Sequence, residues 1–247
     1  MFVFGSGVLI GTPSGANPTP VNFGLVQDVT FDESTTLKQL YGQNRRAVAV
    51  GAGTIKTSIK AKVAKISALA LGSLYYGVTP VLGQIGAIFG ESAAVPATPF
   101  AITVANSATW VTDQGVVAAA TGLPLTRVAS GATPTTGQYK VTAGVYTFAA
   151  ADTLLTMLIS YNYTVTASGS KILVGNPLLG PIISFGALLY FTDPTTGLTG
   201  NLQLYNCVMS KFTFGTKLED FVMPDFDAEC FANAAGNMYQ WNFPDAA

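Results

Sequence analysis

The chain has 247 residues, with 12 Lys and Arg against 13 Asp and Glu, a formal net charge of -1 and no histidine. Charged residues make up 10% and apolar residues 49%, well short of the roughly one quarter charged that is usual for a soluble domain. These numbers exclude any Ser-His-Asp or Cys-His catalytic arrangement and any strong basic field for nucleic acid, and they leave wide apolar patches of the kind that mark interaction surfaces.

The length fits one large domain or two modest ones. Cys207 and Cys230 show no CxxC spacing and read as reduced, buried thiols, with a single bridge as the alternative. The opening MFVFGSGVLIG is short and lacks basic residues, unlike a secretory signal. Two charge-free stretches, Ile66–Gly90 and Ile172–Thr192, are long enough to cross a bilayer. Pro80, Gln84 and glycines interrupt the first, and Asn176, Pro177 and Pro181 the second, without Lys/Arg bias at one flank. Both read as buried strands and turns, not membrane helices.

In chain order, residues 1–24 are rich in Gly and Pro and read as loop, with a short strand at Val8–Ile10. Alternation from Asn22 to Asp32 predicts a strand with one apolar face. Glu33–Val48 is polar and turn-prone around Gly42–Asn44 and reads as an extended excursion between two strands, with Leu37, Leu40 and Tyr41 available to bury. From Thr54 to Ala64, Ile55, Thr57, Ile59, Ala61 and Val63 alternate with Lys56, Ser58, Lys60 and Lys62, which predicts a long half-buried strand. Ser67 reads as the N-cap of a short helix ending at Gly72.

Gly77–Pro99 is apolar and punctuated by Gly and Pro. Strands are predicted at Phe100–Val104, Trp110–Val117 and Leu125–Val128, a hairpin at Gln138–Phe148, and a strand over Thr156–Val165 after a turn at Ala149–Asp152. Thr166–Lys171 reads as a linker. Further strands are expected at Leu188–Phe191 and Asn201–Phe214, with the last one ending near Cys230.

Nucleotide-binding and nucleophile-elbow motifs are absent, and no cofactor or metal is implied. The only catalytic option is the row of carboxylates near the C-terminus, which a β-rich glycosidase could use. The bland reading of that row is a solvated or subunit-facing acidic edge. Lys56, Lys60, Lys62 and Lys65 fall within one element, while Glu219, Asp220, Asp225, Asp227 and Glu229 crowd near the end. These are either separate solvated faces or faces that meet, within the chain or between subunits.

LYGQ (Leu40–Gln43), the Lys-rich strand, LYYG (Leu74–Gly77), TGQYKVTAGVYTFAAAD (Thr136–Asp152) followed by ISYNYT, and the closing KLEDFVMPDFDAECFANAAGN together cover over half the chain. In these segments the sequence resembles the bacteriophage tail tube, or major tail, proteins. The resemblance implies two packed antiparallel sheets, a β-sandwich or partial barrel, with one short flanking helix. It implies a ring, normally of six identical subunits, stacked into a tube that conducts DNA during ejection without reading its sequence. Tape-measure and tail terminator or baseplate proteins are the implied partners, and the virion tail, assembled in the host cytoplasm, the implied location. Under it, residues 1–99 and 167–247 form the tube-like domain and residues 100–166 an inserted β-rich segment.

Leu37, Leu40, Tyr41, Arg45 and Arg46 become the candidate inter-ring arm. A basic lumen would hold phosphates, so the lysines are expected off the channel or beside carboxylates. The resulting expectation is a non-enzymatic, self-assembling structural protein in which the Lys56–Lys65 element of one subunit meets the Glu219–Glu229 segment of another. A β-sandwich that binds or decorates a virion surface is the alternative.

Overall fold

A computed structural model describes residues 5, 7–43, 45–176, 180 and 182–244. Asn44 of the expected Gly42–Asn44 turn, Pro177 and Pro181 lie outside these. The chain is mainly β, with antiparallel sheets and one short helix. Its strands are β1 (Val8–Pro13), β2 (Val21–Asn22), β3 (Val26–Tyr41), β4 (Ala47–Val63), β5 (Val81–Ala94), β6 (Ala101–Thr103), β7 (Trp110–Ala118) and β8 (Thr126–Arg127). They continue as β9 (Gln138–Thr142), β10 (Val145–Phe148), β11 (Thr156–Lys171), β12 (Phe185–Thr192), β13 (Thr199–Thr213), β14 (Asp225–Phe231) and β15 (Tyr239–Asn242).

Two compact units emerge, one from Met1–Pro80 with Ile172–Ala247 and the other from Val81–Lys171. The inserted unit therefore begins a whole strand before residue 100. The reason is pairing: β5 is hydrogen-bonded along its length to β11, so it belongs with the insertion.

In the first unit an eight-stranded antiparallel sheet runs β2-β1-β12-β13-β14-β4-β3, with β15 also paired to β13. Strands far apart in this order meet through their side chains. Phe31 of β3 stands edge-on to Tyr239 and Trp241 of β15, at 5.2 and 5.6 Å between ring centres, and Trp241 meets Phe191 of β12 at 6.0 Å. The sheet thus curls around its own core of Leu9, Phe23, Ile59, Val63, Phe185, Leu202, Leu204 and Phe226.

A short helix plugs this core. Ser67 caps α1 (Ala68–Ala70) by accepting from the Ala70 amide, as expected. The helix does not stop at Gly72: it continues as a π-helical turn over Leu71–Tyr76 and ends at Gly77, whose φ of 63° suits a left-handed cap. Gly72 is needed for closeness instead, because a Cβ there would lie 2.6 Å from the Val78 carbonyl oxygen.

The structure extends or changes several other expectations. The Glu33–Val48 excursion is not a loop, since its residues complete β3 and begin β4, which pair from Val26↔Val63 to Tyr41↔Ala47. The region Gly77–Pro99 contains the 14-residue strand β5. Its glycines disguised it: Gly86 lies beneath the ring of Tyr163, its cross-strand partner, at a place where a Cβ would be 2.8 Å from that ring. Thr166–Lys171 is no linker either, because β11 resumes pairing with β5 at Ser170↔Leu82 after an irregularity. Beyond Cys230, which lies in β14, the chain makes one more strand, β15.

The inserted unit sets a three-stranded sheet, β5-β11-β7, against a four-stranded one, β6-β10-β9-β8. Val95, Ile102, Val116, Tyr139, Tyr146, Met157, Ile159 and Tyr161 form its core. The expected hairpin is β9–β10, turned by Ala143 and Gly144, both at positive φ.

No helix among the described residues is long and apolar enough to cross a membrane. The helical plug supplies a stability test. Leu74 is fully buried and sits where Gly11 leaves no room for a Cβ, which would be 2.5 Å from a Leu74 methyl. Leu74→Ala is expected to cost about 2–5 kcal/mol in urea unfolding followed by circular dichroism, whereas a loss below about 1 kcal/mol would show that the plug does not hold this core.

Candidate functional site

Three features could carry function: the charged face of the large sheet, the distal half of the β3–β4 hairpin, and a buried carboxylate cluster in the inserted unit.

The charged face follows from strand register. Across β13, β14, β4 and β3, Lys211 stands opposite Asp227, Asp227 opposite Lys60, and Lys60 opposite Thr30. In the next row Thr213, Asp225, Lys62 and Asp28 follow one another. Signs alternate along both rows, and a groove of about 250 Å³ is lined by three cations, Lys60, Lys62 and Lys211, and three carboxylates, Asp28, Asp225 and Asp227.

Of the two ways left open for the charged faces to meet, strand register shows the within-chain one for two of the lysines. Lys60 and Lys62 stand opposite Asp227 and Asp225 within one chain, because β14 is hydrogen-bonded beside β4. The remaining members of that expectation are dispersed. Lys56 lies farther along β4 opposite Ser34, Glu229 lies opposite Ser58, and Lys65 is exposed past the end of β4. Glu219 and Asp220 occupy the exposed β13–β14 loop, where Asp220 makes a 3.4 Å ion pair with Lys217.

The distal hairpin is the least buried part of the first unit. β14 accompanies β4 only from Thr57 to Lys62. Beyond that point Ser34–Tyr41 and Ala47–Lys56 form a two-stranded ribbon without a third strand. At 58–66% exposure, Leu37, Leu40, Tyr41, Val48, Val50 and Ile55 would suit a surface that something covers. Period-two alternation puts Leu37 and Tyr41 on one side and Leu40 on the other, so both faces carry apolar groups. Arg45 and Arg46 sit at its exposed tip. Where the third strand ends, Glu33 clamps the ribbon: its Oε2 accepts from the Tyr239 hydroxyl at 2.8 Å and the Thr57 hydroxyl at 3.5 Å. The expected arm residues thus share one projecting element.

The buried cluster is centred on Asp113, whose side chain is 4% exposed, and no sequence signal pointed to it. Tyr139 donates to its Oδ2 at 2.7 Å and Tyr146 to its Oδ1 at 3.1 Å; the Gly115 amide donates to Oδ1 at 3.0 Å, and Arg127 lies 3.6 Å from Oδ2. Trp110 donates to the Tyr146 hydroxyl at 3.3 Å. Burial, then the Asp113 carboxylate, pushes the Tyr139 phenol well above its ordinary 10, and Tyr146 is raised by burial and Asp113 against the opposing Trp110 bond. These phenols hold their protons, so the cluster ties β7 to β8, β9 and β10 and lacks an activated group facing a cleft.

Cavities point the same way. One of about 600 Å³ is lined by the Pro13–Thr19 loop, Ser73, Thr79 and Ile183 among others, and includes no titratable side chain. Among the described residues no three His, Cys, Asp or Glu side chains are placed to hold a metal ion. Cys207 and Cys230 are free thiols directly opposite each other on β13 and β14, their sulfurs 3.2 Å apart. No protein-family model matches the chain, and no curated protein matches it either.

Two measurements check this description. Asp227→Lys puts three cations in one row and is expected to cost about 1–2 kcal/mol, less at high salt; an unchanged midpoint would deny the ladder. For Tyr139 and Tyr146 the folded pKa lies above the unfolded one, so their contribution is complete below pH 10 and is lost as pH rises through the folded value. Absorbance titration should find at least these two phenols ionising only as the unit unfolds in alkali, and ionisation of all ten tyrosines together near pH 10 would contradict this.

Proposed function

We propose that this protein is a structural subunit that assembles with copies of itself into stacked rings, forming a tube of the phage-tail kind through which DNA passes. The observation that carries the reading is the distal β3–β4 ribbon. An isolated two-stranded hairpin is marginal in water, and an exposed edge with apolar side chains on both faces is a template for association. A ribbon built this way is stable and soluble when other subunits cover it.

The charged face of the large sheet supports the conduit. Three cations and three carboxylates alternate there, so a wall made from it would offer phosphate neither a basic stripe to stick to nor a block of like charge. The resemblance to tail tube proteins supplies the ring of six and the virion tail as location, and the inserted unit would then decorate the tube. On this reading the role is structural and non-enzymatic.

Negative-stain microscopy of the purified full chain over a concentration series tests the reading. Rings or hollow rods are expected; compact monomers at every concentration would end it. Replacing Leu40, Tyr41 and Val48 together with Ser alters only exposed positions and should shift folding stability by less than about 1 kcal/mol while abolishing the polymer.

A further inference from the structure

The arm has an unmatched charge. From Ser34 to Lys56 the chain carries Lys38, Arg45, Arg46 and Lys56 and no acidic residue. Among the described residues no hydrogen bond or ion pair engages the Arg45 or Arg46 side chain. The cations of the sheet body, Lys60, Lys62 and Lys211, have carboxylates opposite them in the same chain. The tip has none.

A surface of complementary character exists on the same unit. The loop Phe214–Pro224 between β13 and β14 presents Leu218 at 99% and Phe221 at 90% exposure, flanking Glu219 and Asp220. Both side chains are thus almost wholly in solvent, and beside them Asp220 pairs with the exposed Lys217 while Glu219 has no ion pair among the described residues.

Register fixes where the two surfaces lie. β4 has 17 residues, about 55 Å at 3.3 Å per residue. The arm tip joins its first residue, Ala47, whereas the loop leads into Asp225, opposite Lys62 near its last. Tip and loop therefore occupy opposite ends of one strand. Complementary surfaces at opposite ends cannot satisfy each other within a chain, nor through a two-fold contact of one end with itself. Between copies they can satisfy each other in an antiparallel two-fold pair, which closes, or head to tail, and only the head-to-tail contact repeats along an axis as a stack of rings requires.

We infer that the β3–β4 arm of one copy docks on the Phe214–Pro224 loop of the next copy along the β4 axis. Arg45 and Arg46 face Glu219 and Asp220, and Leu40, Tyr41 and Val48 cover Leu218 and Phe221. The inference rests on the self-assembly reading and gives its stacking contact.

Charge reversal in trans tests it with the full chain. Variant one carries Arg45→Glu and Arg46→Glu; variant two carries Glu219→Lys and Asp220→Lys. All four positions are exposed, and each variant should keep the wild-type circular dichroism spectrum. Alone, either variant should need at least about tenfold more protein to assemble, because its arm and loop now carry like charge. Mixed one to one, they should assemble close to the wild-type concentration, since each arm then finds an opposite loop.

A mixture as inert as its components, while the wild type polymerises, overturns the pairing and leaves self-assembly standing. Single variants that polymerise like the wild type overturn it as well. A wild type that never polymerises removes the assembly reading, and the pairing with it.

Discussion

The constraint on which the rest depends is that one hairpin is shared between two environments. Over Thr57–Val63, β4 is an interior strand with β14 on one side and β3 on the other, and Ile59, Ala61 and Val63 are buried in the curled sheet. Past Thr57 the same strand continues with a single neighbour and no buried face. The anchored half gives the ribbon a stiff root, and the Glu33 contacts with Tyr239 and Thr57 hold it where the third strand stops. The free half is thereby held extended without being stabilised by packing of its own. Rigidity at the root and exposed apolar surface at the tip are what an assembly arm requires, because little ordering entropy is left to lose on docking.

The inserted unit is organised differently. It closes two sheets over its own core and holds Asp113 and Glu91 internally, while the buried Asp152 keeps its Oδ2 without a hydrogen-bond partner among the described residues. Asp113 is held by two tyrosines, an amide and Arg127, while Glu91 accepts from Tyr161 at 2.5 Å and from the Ala105 amide at 2.9 Å. The Asp113 network is buried with its partners in place, the condition under which such a network specifies a fold. Such closure contrasts with the open ribbon of the first unit.

Much of this was legible where one face of an element is buried. Alternation over Ile55–Val63 located the anchored half of β4, the short runs around Ala143–Gly144 located the β9–β10 hairpin, and Ser67 located the helix start. Legibility failed where burial gives no pattern. Ser34–Tyr41 is exposed on both faces, so its polar and apolar residues carry no period, and it read as an excursion. β5 was hidden by glycines whose function is to let Tyr163 lie across Gly86, and the helix end by a glycine at residue 72 that permits the Val78 carbonyl to approach. For the site, the arm residues were legible as apolar and basic groups in a polar stretch. The meeting of Lys60 and Lys62 with Asp227 and Asp225 was legible as complementary charge, but its occurrence within one chain depends on β14 pairing with β4, a long-range fact that local pattern does not encode. Asp113 has no motif, and only tertiary packing surrounds it with phenols.

Amide hydrogen exchange at two protein concentrations tests the central claim most directly. Dilute, the amides of Ser34–Tyr41 and Val48–Lys56 should exchange fast while Ile59–Val63 exchanges slowly; under assembling conditions the distal amides should become protected and the anchored ones change little. Equal, rapid exchange of the distal ribbon at both concentrations would contradict the account, since it would mean that no second copy ever covers the arm.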